Sequence, residues 1–235
     1  NLLISGHTHS GKSNFLNSVI YALINLYNPI ELQFVLIDTK MANFFVYEGM
    51  RHLRGKVNQM VDESIDTLEE YVLEIERRKK EEKRGQYLDI LIDEFESLLI
   101  QYPKSEELIC KIAREGKEVG IYILLSSSKA SERVFTDKIK KSIPKRLVGS
   151  VVSKENSLLL LNEEGAEELE GNGDMRFKDM DTKESMRVQT PFVSTKEIEV
   201  FVEKIKEGNI LDEEDMERIE KEEEELYEEA KRIVI

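Results

Sequence analysis

The chain has 235 residues, a formal net charge of −14 and a single cysteine, Cys110. That length suits one large α/β domain, or a domain plus a tail. One cysteine excludes an internal disulfide and suits a reducing cytosol, and no apolar run approaches the ~18 residues a membrane span needs. No signal peptide is visible, so the segment is expected to be cytoplasmic.

The first apolar run is Leu2-Leu3-Ile4, which predicts a strand. It leads directly into Gly6-His7-Thr8-His9-Ser10-Gly11-Lys12-Ser13, which reads G-x-x-x-x-G-K-S. A strand before and a helix after are the context in which this pattern forms a phosphate-binding loop. Gly6 and Gly11 let the backbone curl so that successive N–H groups face phosphate oxygens, aided by the positive end of the following helix. Lys12 would reach the β- and γ-phosphates and the Ser13 hydroxyl would hold magnesium. The expected nucleotide-binding set runs from Gly6 through Asn14, with a nucleoside triphosphate and Mg2+ as ligands. His7 and His9 form H-x-H, but no third ligand is evident, and a metal role is not assigned to them.

From Gly11 to about Tyr27 the spacing predicts a helix, with Phe15, Val19 and Leu23 and Leu16, Ile20 and Ile24 on a wide apolar face. Asn28-Pro29 breaks it. Gln33–Asp38 is a second strand and Val61 to about Lys83 a long helix with a charged end. Asp89–Glu94 is a third strand, Ser105–Lys117 a helix, Gly120–Ser126 a fourth strand and Leu147–Val152 a fifth. Near-continuous apolar strands separated by helices predict a mainly parallel sheet covered on both faces. Met175–Phe177 and Met186–Val193 are expected as a short peripheral β pair, and from Thr195 the chain is helical and increasingly charged.

Asp93 and Glu94 end the apolar strand Ile90-Leu91-Ile92. Ligands of open parallel sheets sit at the carboxyl ends of the strands, which puts both acids at the edge that carries the phosphate loop. Asp93 is expected to hold magnesium through water, and Glu94 to polarise the water that attacks the γ-phosphate. Ser126-Ser127-Ser128 ends the fourth strand, where local sequence does not separate a phosphate sensor from an ordinary turn. Arg77-Arg78-Lys79-Lys80 with Lys83-Arg84 alternates with glutamates and reads as a solvated helix end. Lys138, Lys140, Lys141, Lys145 and Arg146 form a denser strip, either a solvated face or a non-specific contact to a phosphate backbone. The acidic balance does not exclude this. From Ile210 onward twelve acidic residues stand against four basic ones, so over half the net charge lies in that tail. There Ile219, Leu226 and Ile233 are seven apart, a narrow seam on a helix that is either solvated or docks on a neighbour.

Taken together, NLLISGHTHSGKSNFLNSVI, FVLIDTKMANFFVYEGMRHL, DILIDEFESLL, VGIYILLSSSKAS, IKKSIPKRLVGSVVSKENS, GAEELEGNGDMRF and RVQTPFVS resemble the motor domain of the FtsK/SpoIIIE DNA translocases. The resemblance implies a RecA-like P-loop ATPase spanning residues 1–208, with an acidic helical tail over 209–235 leading towards a C-terminal domain. It implies a homo-hexameric ring that pumps double-stranded DNA, the Lys138–Arg146 strip near the DNA-facing region, and membrane attachment only through upstream segments of a longer parent. Lys12 and Ser13 would serve phosphate and magnesium, Asp93 magnesium, and Glu94 catalysis. The departures are specific. Ser127-Ser128-Lys129-Ala130 stands where the family usually reads T-Q-R-P, so the sensing side chain is Ser128. Lys117 stands where relatives carry an arginine thought to act in the neighbouring subunit, and a lysine lacks the bidentate guanidinium fork. The segment between Arg84 and Asp89 is short. These differences admit an alternative, an ATP-binding assembly module of a type VII secretion machine with weak hydrolysis.

Overall fold

The computed structural model describes residues 1–207. The acidic tail over 209–235 and its seam of Ile219, Leu226 and Ile233 lie outside the described residues. The strands are β1 (Leu2–Ser5), β2 (Leu32–Asp38), β3 (Tyr87–Asp93), β4 (Ile121–Ser127), β5 (Lys145–Gly149), β6 (Asp174–Asp179) and β7 (Met186–Gln189). The helices are α1 (Lys12–Leu26), α2 (Val61–Lys80), α3 (Glu96–Gln101), α4 (Ser105–Glu115), α5 (Asp137–Ser142), α6 (Lys154–Leu161) and α7 (Thr195–Glu207).

All seven strands form one sheet in the order β2-β3-β4-β1-β5-β6-β7. The first five run parallel, and β6 and β7 are antiparallel. The expected peripheral β pair is therefore an extension of the main sheet, built on the edge of β5. Its register, Lys145 opposite Asp179 and Gly149 opposite Met175, also explains why β5 starts two residues earlier and stops sooner than the apolar run suggested.

Alternation along the strands divides the core. Val35 and Ile37, Ile90 and Ile92, and Ile121, Ile123 and Leu125 pack under α2, α3, α4 and α5. Phe34, Leu36, Leu91 and Ile4 pack on the other face against Leu16, Ile20 and Ile24 of α1 and Ile198, Phe201 and Val202 of α7. Each fully buried Leu or Ile of this kind is worth ~1.5–3 kcal/mol, so both faces contribute strongly. The outer edge of β2 is covered rather than left open. Phe34 N–H donates to His52 O (2.7 Å), Arg54 N–H to Phe34 O (2.9 Å), Asn58 N–H to Leu36 O (2.9 Å) and Asp38 N–H to Asn58 O (2.9 Å). This segment satisfies backbone groups that would otherwise template pairing with another chain.

The short helices follow local caps. Thr136 and Ser153 accept from the N–H groups of Ile139 and Asn156 and start α5 and α6. The long helix ends at Lys80, three residues before expected, because the chain turns at Glu82 (φ +52). Among the described residues no helix is long and apolar enough to cross a membrane.

Candidate nucleotide site

Between β1 and α1 the loop Gly6–Gly11 is held tightly on both sides. A Cβ on Gly6 (φ +151) would lie 2.6 Å from Ser10 Oγ, and one on Gly11 (φ +99) would lie 2.5 Å from Gly173 N and 2.8 Å from Gly173 Cα. His7 N–H donates to Ser150 O (2.8 Å), Asn172 N–H to His9 O (3.1 Å) and Gly173 N–H to Ser10 O (3.0 Å). The loop is thus clamped between the end of β5 and the Gly171-Asn172-Gly173 turn. Gly11→Ala would force an L-residue to φ +99 against backbone that cannot swing aside. The expected cost is about 2–4 kcal/mol from backbone strain and overpacking, read as a lower urea midpoint.

Lys12 is buried, and its Nζ donates to His7 O at 3.0 Å. Burial pushes its ammonium below the usual lysine range, against the pull of Glu94, Asp93 and Glu96. The acids expected at this edge are therefore electrostatic neighbours of the loop lysine. Ser10 Oγ is buried without a hydrogen-bond partner. A lysine resting on a loop carbonyl, an orphaned hydroxyl and a glycine cradle that a Cβ would fill all fit a phosphate chain.

β3 ends at Asp93, one strand removed from β1, with β4 between them. Asp93 is buried and accepts from Ser126 on β4 and from the Asn43 amide. Burial raises its carboxyl, and those two hydrogen bonds oppose the rise. Glu94 follows in the left-handed region (φ +52), which turns its side chain out of the strand. Its Oε2 accepts from Lys40 Nζ (2.7 Å) and from Ser128 Oγ (2.7 Å). Burial pushes the Glu94 carboxyl up, but hydrogen bonds with Glu96, Lys40 and Ser128 outweigh it and keep it ionised. Glu96, fully buried at the start of α3, moves the other way: burial and the Glu94 charge favour its protonated form. Like charges this close cannot both ionise freely, so the two acids divide the roles.

A cavity of about 510 Å³ follows the loop. It is lined by Thr8, His9, Gly11, Lys12, Ser13 and Asn14, by Glu94, by Asn172 and Gly173, and by Pro191 and Phe192. That size is in the usual range for small-molecule sites, ~300–1,000 Å³. The structure thus brings Gly6 to Asn14, Asp93, Glu94 and Ser128 together. His7 is exposed and its Nε2 lies 2.9 Å from Ser150 Oγ. Among the described residues no three potential ligands are grouped to hold a metal without other donors.

The other candidates lie elsewhere. Lys117 is exposed on the 3₁₀ turn Gly116–Val119 that enters β4, at the sheet edge opposite the loop, so it does not reach this chain's own cavity. The basic strip also lies at that opposite edge, where α5 leads into β5. Lys138, Lys141 and Lys145 are exposed, with Lys138 3.8 Å from Glu106 and Lys145 3.7 Å from Asp179. Lys140 is half-buried and pairs with Asp137 at 3.1 Å. Arg146 is corrected: it is 4% exposed and donates to Leu160 O. Its place as the second residue of an interior strand buries it, so it is not part of an exposed strip. Sequence reading did not single out Lys40, Asn43 or Glu96, and it named Ser126 only within the serine run that ends β4, without its bond to Asp93. Lys40 had a usable signal, since it follows the carboxyl end of a strand adjoining β3.

A glycine-clamped phosphate loop, with an acid pair one strand away at the same edge of a mostly parallel sheet, defines a P-loop ATPase fold. Residues 1–82 match the FtsK/SpoIIIE family. The chain is 31% identical to the DNA translocase FtsK of Leptospira interrogans, covering 99% of this chain and 28% of that protein. It is also 31% identical to the DNA translocase FtsK of Caldanaerobacter subterraneus, over 100% of this chain and 37% of that protein. The chain belongs to the FtsK/SpoIIIE family, and spans between 25% and 37% of the length of the curated relatives it matches. Among solved structures, the cytoplasmic domain of the Thermomonospora curvata type VII secretion ATPase EccC superposes with a TM-score of 0.75 at 25% identity, covering 86% of this chain and 27% of that one. The pCW3 conjugation coupling protein TcpA, solved with ATPγS, superposes with a TM-score of 0.73 at 20% identity, covering 87% and 63%.

Proposed function

We propose that this chain is an ATP-hydrolysing motor that moves double-stranded DNA, working as a homo-hexameric ring on the cytoplasmic side of the membrane. The observation that carries the reading is the convergence of Lys12, Ser13 and Glu94 on one cavity, with Asp93 behind them. Likeness to proteins named DNA translocase FtsK along the whole chain supports the DNA substrate. Residues 1–208 form the motor, and 209–235 lead on from it.

In this reading Lys12 leaves the His7 carbonyl to neutralise the phosphates. Ser13 and, through water, Asp93 would hold Mg2+, which would draw negative charge off the phosphate oxygens. Ser126 and Asn43 fix the Asp93 carboxylate, so little reorganisation is needed when it takes up its ligand. Glu94, ionised and steered by Lys40 and Ser128, orients the attacking water and accepts its proton. Ser128 reports on the γ-phosphate through its bond to Glu94, and Lys117 serves the site of the adjoining subunit. Lys138, Lys141 and Lys145 contact the DNA backbone without reading sequence.

The test is steady-state ATP hydrolysis with and without linear duplex DNA. Several-fold stimulation is expected, weakening as salt rises because phosphate contacts release counterions. Lys12→Ala is expected to abolish it. A second reading, an ATP-binding assembly module of a secretion machine, draws on the likeness to EccC and on Lys117 and Ser128. Tight ATP binding with negligible, DNA-independent hydrolysis would favour it.

A further inference from the structure

One part of the cavity is unused by the chemistry above. Pro191 and Phe192 line it, and Phe192 is 78% exposed. A phenyl ring left largely in water costs solvation free energy, and an exposed ring on a floppy loop would carry little meaning. This one is not on a floppy loop.

The backbone on both sides of Phe192 is pinned. On one side, Thr190 N–H and Thr190 Oγ1 both donate to Gly173 O, at 2.8 and 3.1 Å. On the other, the Asn14 amide pairs with the peptide of Val193, Nδ2 donating to Val193 O at 2.6 Å and Oδ1 accepting from Val193 N–H at 3.3 Å. Pro191 fixes the torsion just before the ring. Gly173 is itself packed under Gly11 of the phosphate loop. The strap is therefore tied at one end to the turn that clamps the loop and at the other to the first turn of α1. The arrangement fixes the backbone that carries the ring and commits the Asn14 amide to it.

The geometry points to Phe192 as the stacking platform for the base of the bound nucleotide, a subsite for a planar heterocycle next to the phosphate loop. This rests on the phosphate-loop reading above and adds where the base lies and what holds it. A ring on a fixed backbone leaves only its two side-chain torsions to be ordered on binding. Stacking gives affinity without reading base edges, since every base has a π-face. The strap also couples base and phosphates mechanically, because Gly173 contacts Gly11 and anchors Thr190.

The test compares Mg-ATP with Mg-tripolyphosphate, which has the phosphates but no base, by calorimetry on the full 235-residue chain. Phe192→Ala is expected to weaken ATP binding by about 5- to 150-fold, the range for losing one base–aromatic stack. Tripolyphosphate affinity should stay within about twofold, and Phe192→Tyr should retain ATP affinity. The chain has no tryptophan, so Phe192→Trp places a single indole reporter on the strap. Its emission should change with ATP and not with tripolyphosphate. Unchanged ATP affinity in Phe192→Ala overturns the inference, as does an equal loss of ATP and tripolyphosphate, which would mean the strap only supports the loop. Failure of the parent reading looks different: wild type would bind neither ligand, or Lys12→Ala would bind both as well as wild type.

Discussion

Replacing Glu94 by glutamine is expected to lower ATP turnover by about 10²–10⁴, the usual contribution of a general base, while ATP affinity stays within about twofold. The amide keeps the shape of the carboxylate, and its oxygen can still accept from Lys40 and Ser128, which lie 2.7 Å from Oε2. What it loses is basicity and charge. Folding should not suffer. Lys40 is 52% exposed on its side chain, so water solvates the ammonium left behind, and removing the Glu94 charge relieves part of what, with burial, raises the Glu96 carboxyl. Single-turnover hydrolysis beside equilibrium ATP binding separates the two quantities. Glu96→Gln is the necessary companion. If Glu96 were the base, Glu94→Gln would turn over normally and Glu96→Gln would not.

The parts of this site that were legible in the sequence are those written contiguously. A phosphate loop needs its glycines, lysine and serine within eight residues, and the acid pair ends an apolar strand, so spacing alone announced both. What was hidden depends on strand order. Ser126 reaches Asp93 only because β4 lies between β3 and β1, and Asn14 meets Val193 across 179 residues. Charge was the poorer guide to exposure. Arg146 belongs to a basic strip by composition, yet β5 is an interior strand and the side chain faces Leu160. The turn at Glu94 gave no signal either, since a left-handed glutamate is set by its surroundings rather than by propensity. In the fold, the parallel core followed from apolar strands, whereas the addition of β6 and β7 to the same sheet did not, because antiparallel pairing leaves no mark on either strand alone.

Arg78→Met is expected to destabilise the protein by about 3–5 kcal/mol, the cost of breaking a buried charge network from one side. Composition placed Arg78 in a solvated helix end, but it is 4% exposed. Its Nε donates to Glu74 Oε1 at 2.7 Å, and its Nη1 lies 2.7, 2.7 and 2.9 Å from the carbonyls of Arg84, Gln86 and Val119. Those carbonyls belong to the turn that enters β3 and the turn that enters β4, so one guanidinium joins α2 to the start of two central strands. Gly85 (φ +68) lies against it, with a built Cβ 3.1 Å from Arg78 Cζ. This clamp is how so short a connection between Arg84 and Asp89 is held. Methionine fills the space but leaves the three carbonyls without their donor and Glu74 with Arg77 alone. Against a typical total of ~5–15 kcal/mol the loss is large, and urea unfolding measures it directly. Arg77 is the comparison: its own side chain is 56% exposed and it pairs with Glu74 and Glu81 from the solvent side, where pairs contribute less, so Arg77→Met should lower the midpoint by less than Arg78→Met. Acid adds a second check. A hydrogen bond from Arg77, opposed by burial and aided by Arg78, holds the Glu74 carboxyl at about 2 instead of 4.5. A depressed acid stabilises the fold above its ordinary value and loses that contribution as pH falls towards 2. Wild type should lose this contribution over that window, and Arg78→Met should lose less of it, because only the Arg77 contact remains to be undone.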